Sequence, residues 1–328
     1  MNKILIISTL AAATVANAWT GANGTEFVRV GDVGNAADGN GLGAVNYEYS
    51  IGKYEVTANE YINFLNAVGS VSVDVNGSSI YLYHPVGTIN GRGTIAVSGS
   101  SIAVKDGKDN NPVNYVSAYA AAMYANWLCN GAKADASASD YLAGAYNFET
   151  YGATIEVFSN RNAFAQFWLA TADEWYKAAY YSSELNNGAG GYYAYATQNN
   201  EAPAASMPTD TPNCANYDLI TDDMCTTIVG SYISSASYYG TFDQTGNVSE
   251  WTEDIDGQNL VRRGGAYDST SWHIRAAYSV ATDPTVEMYN IGFRLASSDG
   301  EILVPEPAEF ALALAAATLA LLALRRRK

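Results

Sequence analysis

An irregular α+β domain, with few helices, short strands and long ordered loops, is what this sequence predicts. Three observations predict it. Gly, Ser, Asn and Tyr are abundant, with 29 glycines and 25 tyrosines in 328 residues, and no long apolar run occurs between the two ends. Two segments, Thr57-Ala-Asn-Glu60 and Thr171-Ala-Asp-Glu174, carry the spacing of a helix capping box. Short stretches of β-branched and aromatic residues recur between turn residues.

The elements follow in order. Alternating tyrosines predict a strand at Tyr47 to Tyr54. Thr57 opens a helix whose Tyr61, Phe64, Leu65 and Val68 fall at helical intervals. Residues 69–108, rich in Gly, Ser and Val and containing Asn90-Gly91, predict an inserted hairpin region. Ser117 caps a second helix with Ala120, Met123, Trp127 and Leu128 on one face. Thr171 opens a third, carrying Trp175, Ala178 and Ala179. Further strands are predicted at Asn259 to Arg263 and at Gly292 to Ala296. The aromatic stripes are read as core.

The ends are predicted to be processing and sorting segments. Lys3, an apolar run from Ile4 to Val15 and Ala16-Asn17-Ala18 have the order of a secretory signal peptide over residues 1–18, cleaved after Ala18. The main domain takes residues 19–303. Residues 304–328 then hold Val304-Pro-Glu-Pro307, an apolar helix at 308–324 and Arg325-Arg-Arg-Lys328. Seventeen residues of helix reach about 25 Å, near the lower limit for spanning a bilayer, and the four cations are expected on the cytoplasmic side. A simple tail anchor accounts for this much. The three-part order also resembles the PEP-CTERM sorting signal of Gram-negative bacteria. That implies recognition by an exosortase, removal of the membrane helix, and display in the cell envelope, at the surface or in the extracellular matrix.

Charge narrows the partners. The chain has 17 basic and 33 acidic residues, a formal charge of −16. Setting aside Lys3, Glu309 and the four terminal cations leaves 12 basic and 32 acidic residues, about −20 for residues 19–307. Such a domain does not bind nucleic acid by charge. Cys129, Cys214 and Cys225 form no C-x-x-C pattern or cysteine–histidine cluster. Export permits a Cys214–Cys225 disulfide without requiring it. Cys129 is read as a buried small apolar residue.

Several segments resemble, in order, the formylglycine-generating enzyme (sulfatase-modifying factor) family. They are Ile51-Gly-Lys-Tyr-Glu-Val-Thr57, Asn111-Pro-Val-Asn-Tyr-Val-Ser117, Leu169-Ala-Thr-Ala-Asp-Glu-Trp175, Thr241-Phe-Asp-Gln-Thr-Gly-Asn-Val-Ser-Glu-Trp251, Arg262-Arg-Gly-Gly-Ala-Tyr-Asp-Ser269 and Asn290-Ile-Gly-Phe-Arg-Leu-Ala296. The resemblance covers about residues 27–298 and implies a C-type-lectin-like fold. Arg294, in a presumed core strand, needs buried partners and is read as half of a structural ion pair.

The resemblance also frames the chemistry. The family's oxidases hold copper with a cysteine pair, because soft thiolates suit Cu(I). Here those positions are Ser269 and about Ile274, with Ala266 and Ser249 replacing a serine and a tryptophan of the family's substrate site. Copper and formylglycine formation are therefore not expected. The family's histidine-rich iron branch is not matched either, since His84 and His273 are the chain's two histidines. A hydrolytic set of Ser269, His273 and Asp268 would require a geometry that sequence neighbours seldom adopt.

Structural calcium is the cofactor the resemblance implies. Asp243, Gly246, Val248 and Glu250 match one family site, with side-chain oxygens at the ends and carbonyls between. Asn216 and Tyr217 with Asp222 or Asp223 match a second. The alternative for Asp243 and Glu250 is turn capping or pairing with Arg262 or Arg263. The function expected is a non-catalytic binding or structural module taking a polysaccharide or peptide ligand. The alternative is a divergent family enzyme, an oxidase acting on protein or peptide, with a relocated active site.

Overall fold

The computed structural model describes residues 18–21, 23–221 and 225–298. The predicted signal sequence up to residue 17, the tail at 304–328, and Asp222 and Asp223 lie outside the described residues. Among the described residues no helix is long and apolar enough to cross a membrane.

The three predicted helices form where their caps place them. α1 (Ala58–Val68) starts at Thr57, and Thr57 and Glu60 complete the reciprocal capping box. Its Tyr61, Phe64 and Leu65 are fully buried. α2 (Ala118–Cys129) starts at Ser117, whose hydroxyl accepts the Ala120 N–H. It is buried on nearly every side, so its helical stripe is weak and packing holds it. α3 (Ala172–Tyr180) starts at the second capping box, Thr171 with Glu174.

Nine strands build two sheets: β1 (Ala18–Thr20), β2 (Glu26–Val30), β3 (Tyr49–Gly52), β4 (Phe167–Leu169), β5 (Ser249–Asp256), β6 (Asn259–Arg263), β7 (Val280–Thr282), β8 (Ile291–Phe293) and β9 (Leu295–Ser297). One sheet has the order β1-β2-β3-β9-β4, and the other the order β7-β6-β5-β8. The strand predicted at Gly292 to Ala296 is in fact two. β8 pairs in parallel with β5, while β9 pairs antiparallel with β3 and β4. Arg294 stands at the break, so one residue joins both sheets.

Residues 69–108 do form hairpins, over Ser72–Val75 with Ser78–Tyr81 and over Ile95–Ser98 with Ser101–Val104. The first turns at Asn76-Gly77, both at positive φ (54° and 84°) as a tight hairpin turn needs. Asn90-Gly91 instead follows a short helix, Pro85–Ile89.

Candidate functional site

Two neighbouring regions carry the residues singled out by sequence. The first is a buried charge cluster behind the break between β8 and β9. Arg294 is fully buried. Its Nε and Nη2 donate to the two carboxylate oxygens of Glu250 at 2.6 and 2.7 Å. Nη1 donates to the Gly52 carbonyl at 3.0 Å and Nη2 to the Phe242 carbonyl at 2.7 Å. The expected structural ion pair is thus present, with Glu250 and not Asp243 as its acid. Trp175 Nε1 donates to the same Glu250 oxygen as Arg294 Nε, at 2.7 Å. Arg262 and Arg263, the partners proposed from sequence, turn elsewhere: Arg262 Nε to Thr282 Oγ1 and Arg263 Nη1 to the Ala276 carbonyl.

Asp243, at φ 62°, accepts the Gly230 N–H, and Glu55 accepts Asn247 Nδ2 at 2.6 Å and the Val248 N–H at 3.0 Å. Three acids therefore face one guanidinium. Burial pushes the Asp243 carboxyl up to about 6. Burial, then Asp243 and Glu250, raise Glu55 well above the carboxylate range. Burial works to lower Arg294, but Glu250, Glu55 and Asp243 prevail and hold it above its usual value. Glu55 belongs to a motif quoted for the family resemblance, yet sequence reasoning did not single it out. Its partners lie on a segment nearly 200 residues away.

The second predicted metal set touches the first. A Cβ on Gly246 would meet the Asn216 carbonyl oxygen at 2.2 Å, so glycine lets that segment cross. Asn247 N–H donates to that carbonyl at 2.9 Å, and Asn216 Nδ2 donates to Asn247 Oδ1 at 3.2 Å. Tyr217 points away, its hydroxyl on the Pro203 carbonyl. The donors around Asp243 are hard oxygens with surplus negative charge, which fits Ca²⁺ in chemistry. Against this, Glu250 is already shared by Arg294 and Trp175. Among the described residues no group of three or more His, Cys, Asp or Glu side chains is arranged to hold a metal ion.

The second region is the loop after Gly264-Gly265. Both glycines have positive φ, and a Cβ on Gly265 would meet Ile274 Cγ2 at 2.7 Å. Gly265 thus lets Ile274 close in, while a Cβ on Gly264 would meet the Gln244 carbonyl and the Trp175 ring. Ile274 is fully buried and packs with Tyr195, Ala215 and Tyr217. Ser269 Oγ accepts the Ala266 N–H at 2.9 Å. His273 Nδ1 lies 3.0 Å from Thr270 Oγ1, and Asp268 accepts Asn290 Nδ2 at 3.0 Å. Ser269, His273 and Asp268 therefore bond to three different partners and form no catalytic relay. Ala266 is buried, and Ser249 Oγ turns to the Arg263 carbonyl. Cys214 and Cys225 are both buried as thiols. Cys129 is only part-buried: its sulfur donates to the Phe167 carbonyl, and burial raises its pKa.

The family model described as "Sulfatase-modifying factor enzyme 1-like domain" matches residues 33–299, and the chain belongs to that family. Its fold is the irregular, C-type-lectin-like α+β fold of that family. Among solved structures, CarF is 21% identical with a TM-score of 0.51, over 83% of this chain and 98% of that one. PvdO from Pseudomonas aeruginosa is 16% identical with a TM-score of 0.49, over 86% and 98%. Treponema denticola variable protein 1 is 20% identical with a TM-score of 0.48, over 86% and 98%. These are likenesses of fold. No curated protein matches the chain.

Proposed function

We propose that the chain is an exported, surface-sorted, non-catalytic binding module on this scaffold. The observation that carries the reading is Ile274. The resemblance puts the second cysteine of the family's oxidases at about Ile274, which here has no exposed surface and packs into a small core. The first position, Ser269, spends its hydroxyl on a backbone N–H of its own turn. A serine hydroxyl is a poor Cu(I) ligand and an isoleucine is none. The display route rests on the leader at residues 1–18 and the tail at 304–328, with an exosortase as the processing partner.

The test is turnover. The purified chain is incubated with a sulfatase-type cysteine peptide, copper and oxygen. No aldehyde is expected. Aldehyde that disappears in Ser269→Ala or Cys214→Ala would establish the alternative, an oxidase with a relocated site. Structural calcium at Asp243, Gly246, Val248 and Glu250 is a second proposal, supported by the surplus of carboxylate in a buried cluster. The weaker set at Asn216, Tyr217, Asp222 and Asp223 belongs with it. Sorting is tested by fractionating cells that express the chain with and without residues 304–328. Envelope or extracellular recovery that needs the tail supports the route, and equal recovery without it contradicts it.

A further inference from the structure

The loop after Gly264-Gly265 presents an unusual side chain. Trp272 is 61% exposed, whereas Trp127, Trp168, Trp175 and Trp251 are each at most 5% exposed. Burying so large an apolar ring is the ordinary outcome of folding. Trp272 is nonetheless held in place. The Arg275 guanidinium lies over its ring at 3.4 Å. Ile274, two residues on, is anchored in the core. Turn bonds close the loop on both sides, His273 N–H to Thr270 O and Tyr278 N–H to Arg275 O, each at 2.9 Å. Arg275 covers one face, and the residue is still 61% exposed, so ring surface away from Arg275 is open to solvent.

The surroundings select the ligand. Thr270 and Ser271, just before Trp272 in the sequence, are exposed. Arg275 has no carboxylate partner among the described residues, and its buried Nε makes no hydrogen bond there. An exposed indole backed by a guanidinium, with hydroxyl side chains next to it in the sequence, matches the flat C–H face and rim hydroxyls of a pyranose. An extended peptide would need a strand edge or a groove, and residues 271–277 are turns and bends with no strand. A polyanion is opposed by the chain's charge of −16.

We infer that Trp272, backed by Arg275, is the stacking platform of a binding site for neutral polysaccharide. The site rests on the reading of the domain as a binding module, and its preorganisation means that little side-chain freedom is lost on binding. Native gels cast with laminarin, galactomannan or dextran test it, with alginate as the acidic comparison. The full chain is kept soluble in non-ionic detergent. Retardation by at least one neutral polymer is expected. Trp272→Ala should weaken it about tenfold or more, as loss of a central aromatic anchor does, and Arg275→Ala should weaken it less. Phe164→Ala, which removes a ring 93% exposed elsewhere, should change nothing. The melting temperature of Trp272→Ala should match the parent, because the ring is mostly in solvent. No retardation by any neutral polymer, retardation by alginate alone, or equal retardation of Trp272→Ala overturns the inference. So does a peptide-array signal that needs Trp272 when no polymer binds. The aldehyde test is independent, so a domain that neither oxidises peptide nor binds polymer loses this site and keeps the non-catalytic reading.

Discussion

Replacing Arg294 with methionine is the perturbation whose size can be worked out most fully. The side chain donates to both oxygens of Glu250 and to the carbonyls of Gly52 and Phe242, at 2.6 to 3.0 Å. It joins β5, the end of β3 and the loop before Asp243. Methionine fills much of the same volume but leaves Glu250, Asp243 and Glu55 buried with no cation facing them. Removing one partner of a buried pair costs about 3–5 kcal/mol, mostly from the uncompensated charge left behind. At about 2 °C per kcal/mol for a domain of this size, the melting temperature should fall by about 6–10 °C. The loss should depend on pH. Burial raises Asp243 and Glu55 while Arg294 lowers them, so removing Arg294 raises both further; protonation relieves the variant at low pH, and the penalty grows as pH rises. Scanning calorimetry at pH 5 and pH 8 should therefore show the larger drop at pH 8. Changing both partners, Arg294→Met with Glu250→Met, should recover part of the loss. A single variant that melts within about 2 °C of the parent at pH 8 would refute the reasoning.

Three further outcomes follow. Calorimetry with and without chelator should show a lower melting temperature in chelator; an unchanged value together with no metal in elemental analysis removes the calcium proposal. Glu287, which burial pushes up to about 8, faces His84 Nε2 at only 3.9 Å, so its stabilising protonation is lost as pH rises from its ordinary 4.5 through about 8. Glu287→Gln should flatten the fall in stability across that window, and a curve parallel to the parent's would contradict the assignment. Gly265→Ala should cost about 1–3 kcal/mol in urea unfolding, because it forces a side chain into a positive φ against Ile274; a neutral result would mean that the loop does not need that close approach.

Local signals were legible in the sequence and distant ones were not. The capping boxes at Thr57 and Thr171 depend on residues three apart, and both formed as read. The strand Asn259–Arg263 also stands where the pattern placed it. That Arg294 needed a buried partner was readable; that the partner is Glu250 was not, because the parallel pairing of β5 with β8 joins segments more than 40 residues apart. The same arginine stands between two strands of different sheets, which an unbroken run of residues does not reveal. Glu55 escaped notice because its partners, Asn247 and the Val248 N–H, are brought to it only by the fold. Asn90-Gly91 turns no hairpin because it ends the helix Pro85–Ile89, whereas Asn76-Gly77 lies between strands of matched length. Trp272 offered no periodic signal of exposure, since it lies in turns where no helical or strand period applies.

The central claim is that the family scaffold persists here without the family's metal chemistry. Titrating the purified chain with Cu(I) against a chromogenic chelator, alongside Ser269→Ala, tests it most directly. Equal copper retention by the two proteins is predicted, because Ser269 and Ile274 provide no thiolate. One equivalent of copper held tightly by the parent and lost in Ser269→Ala would contradict it.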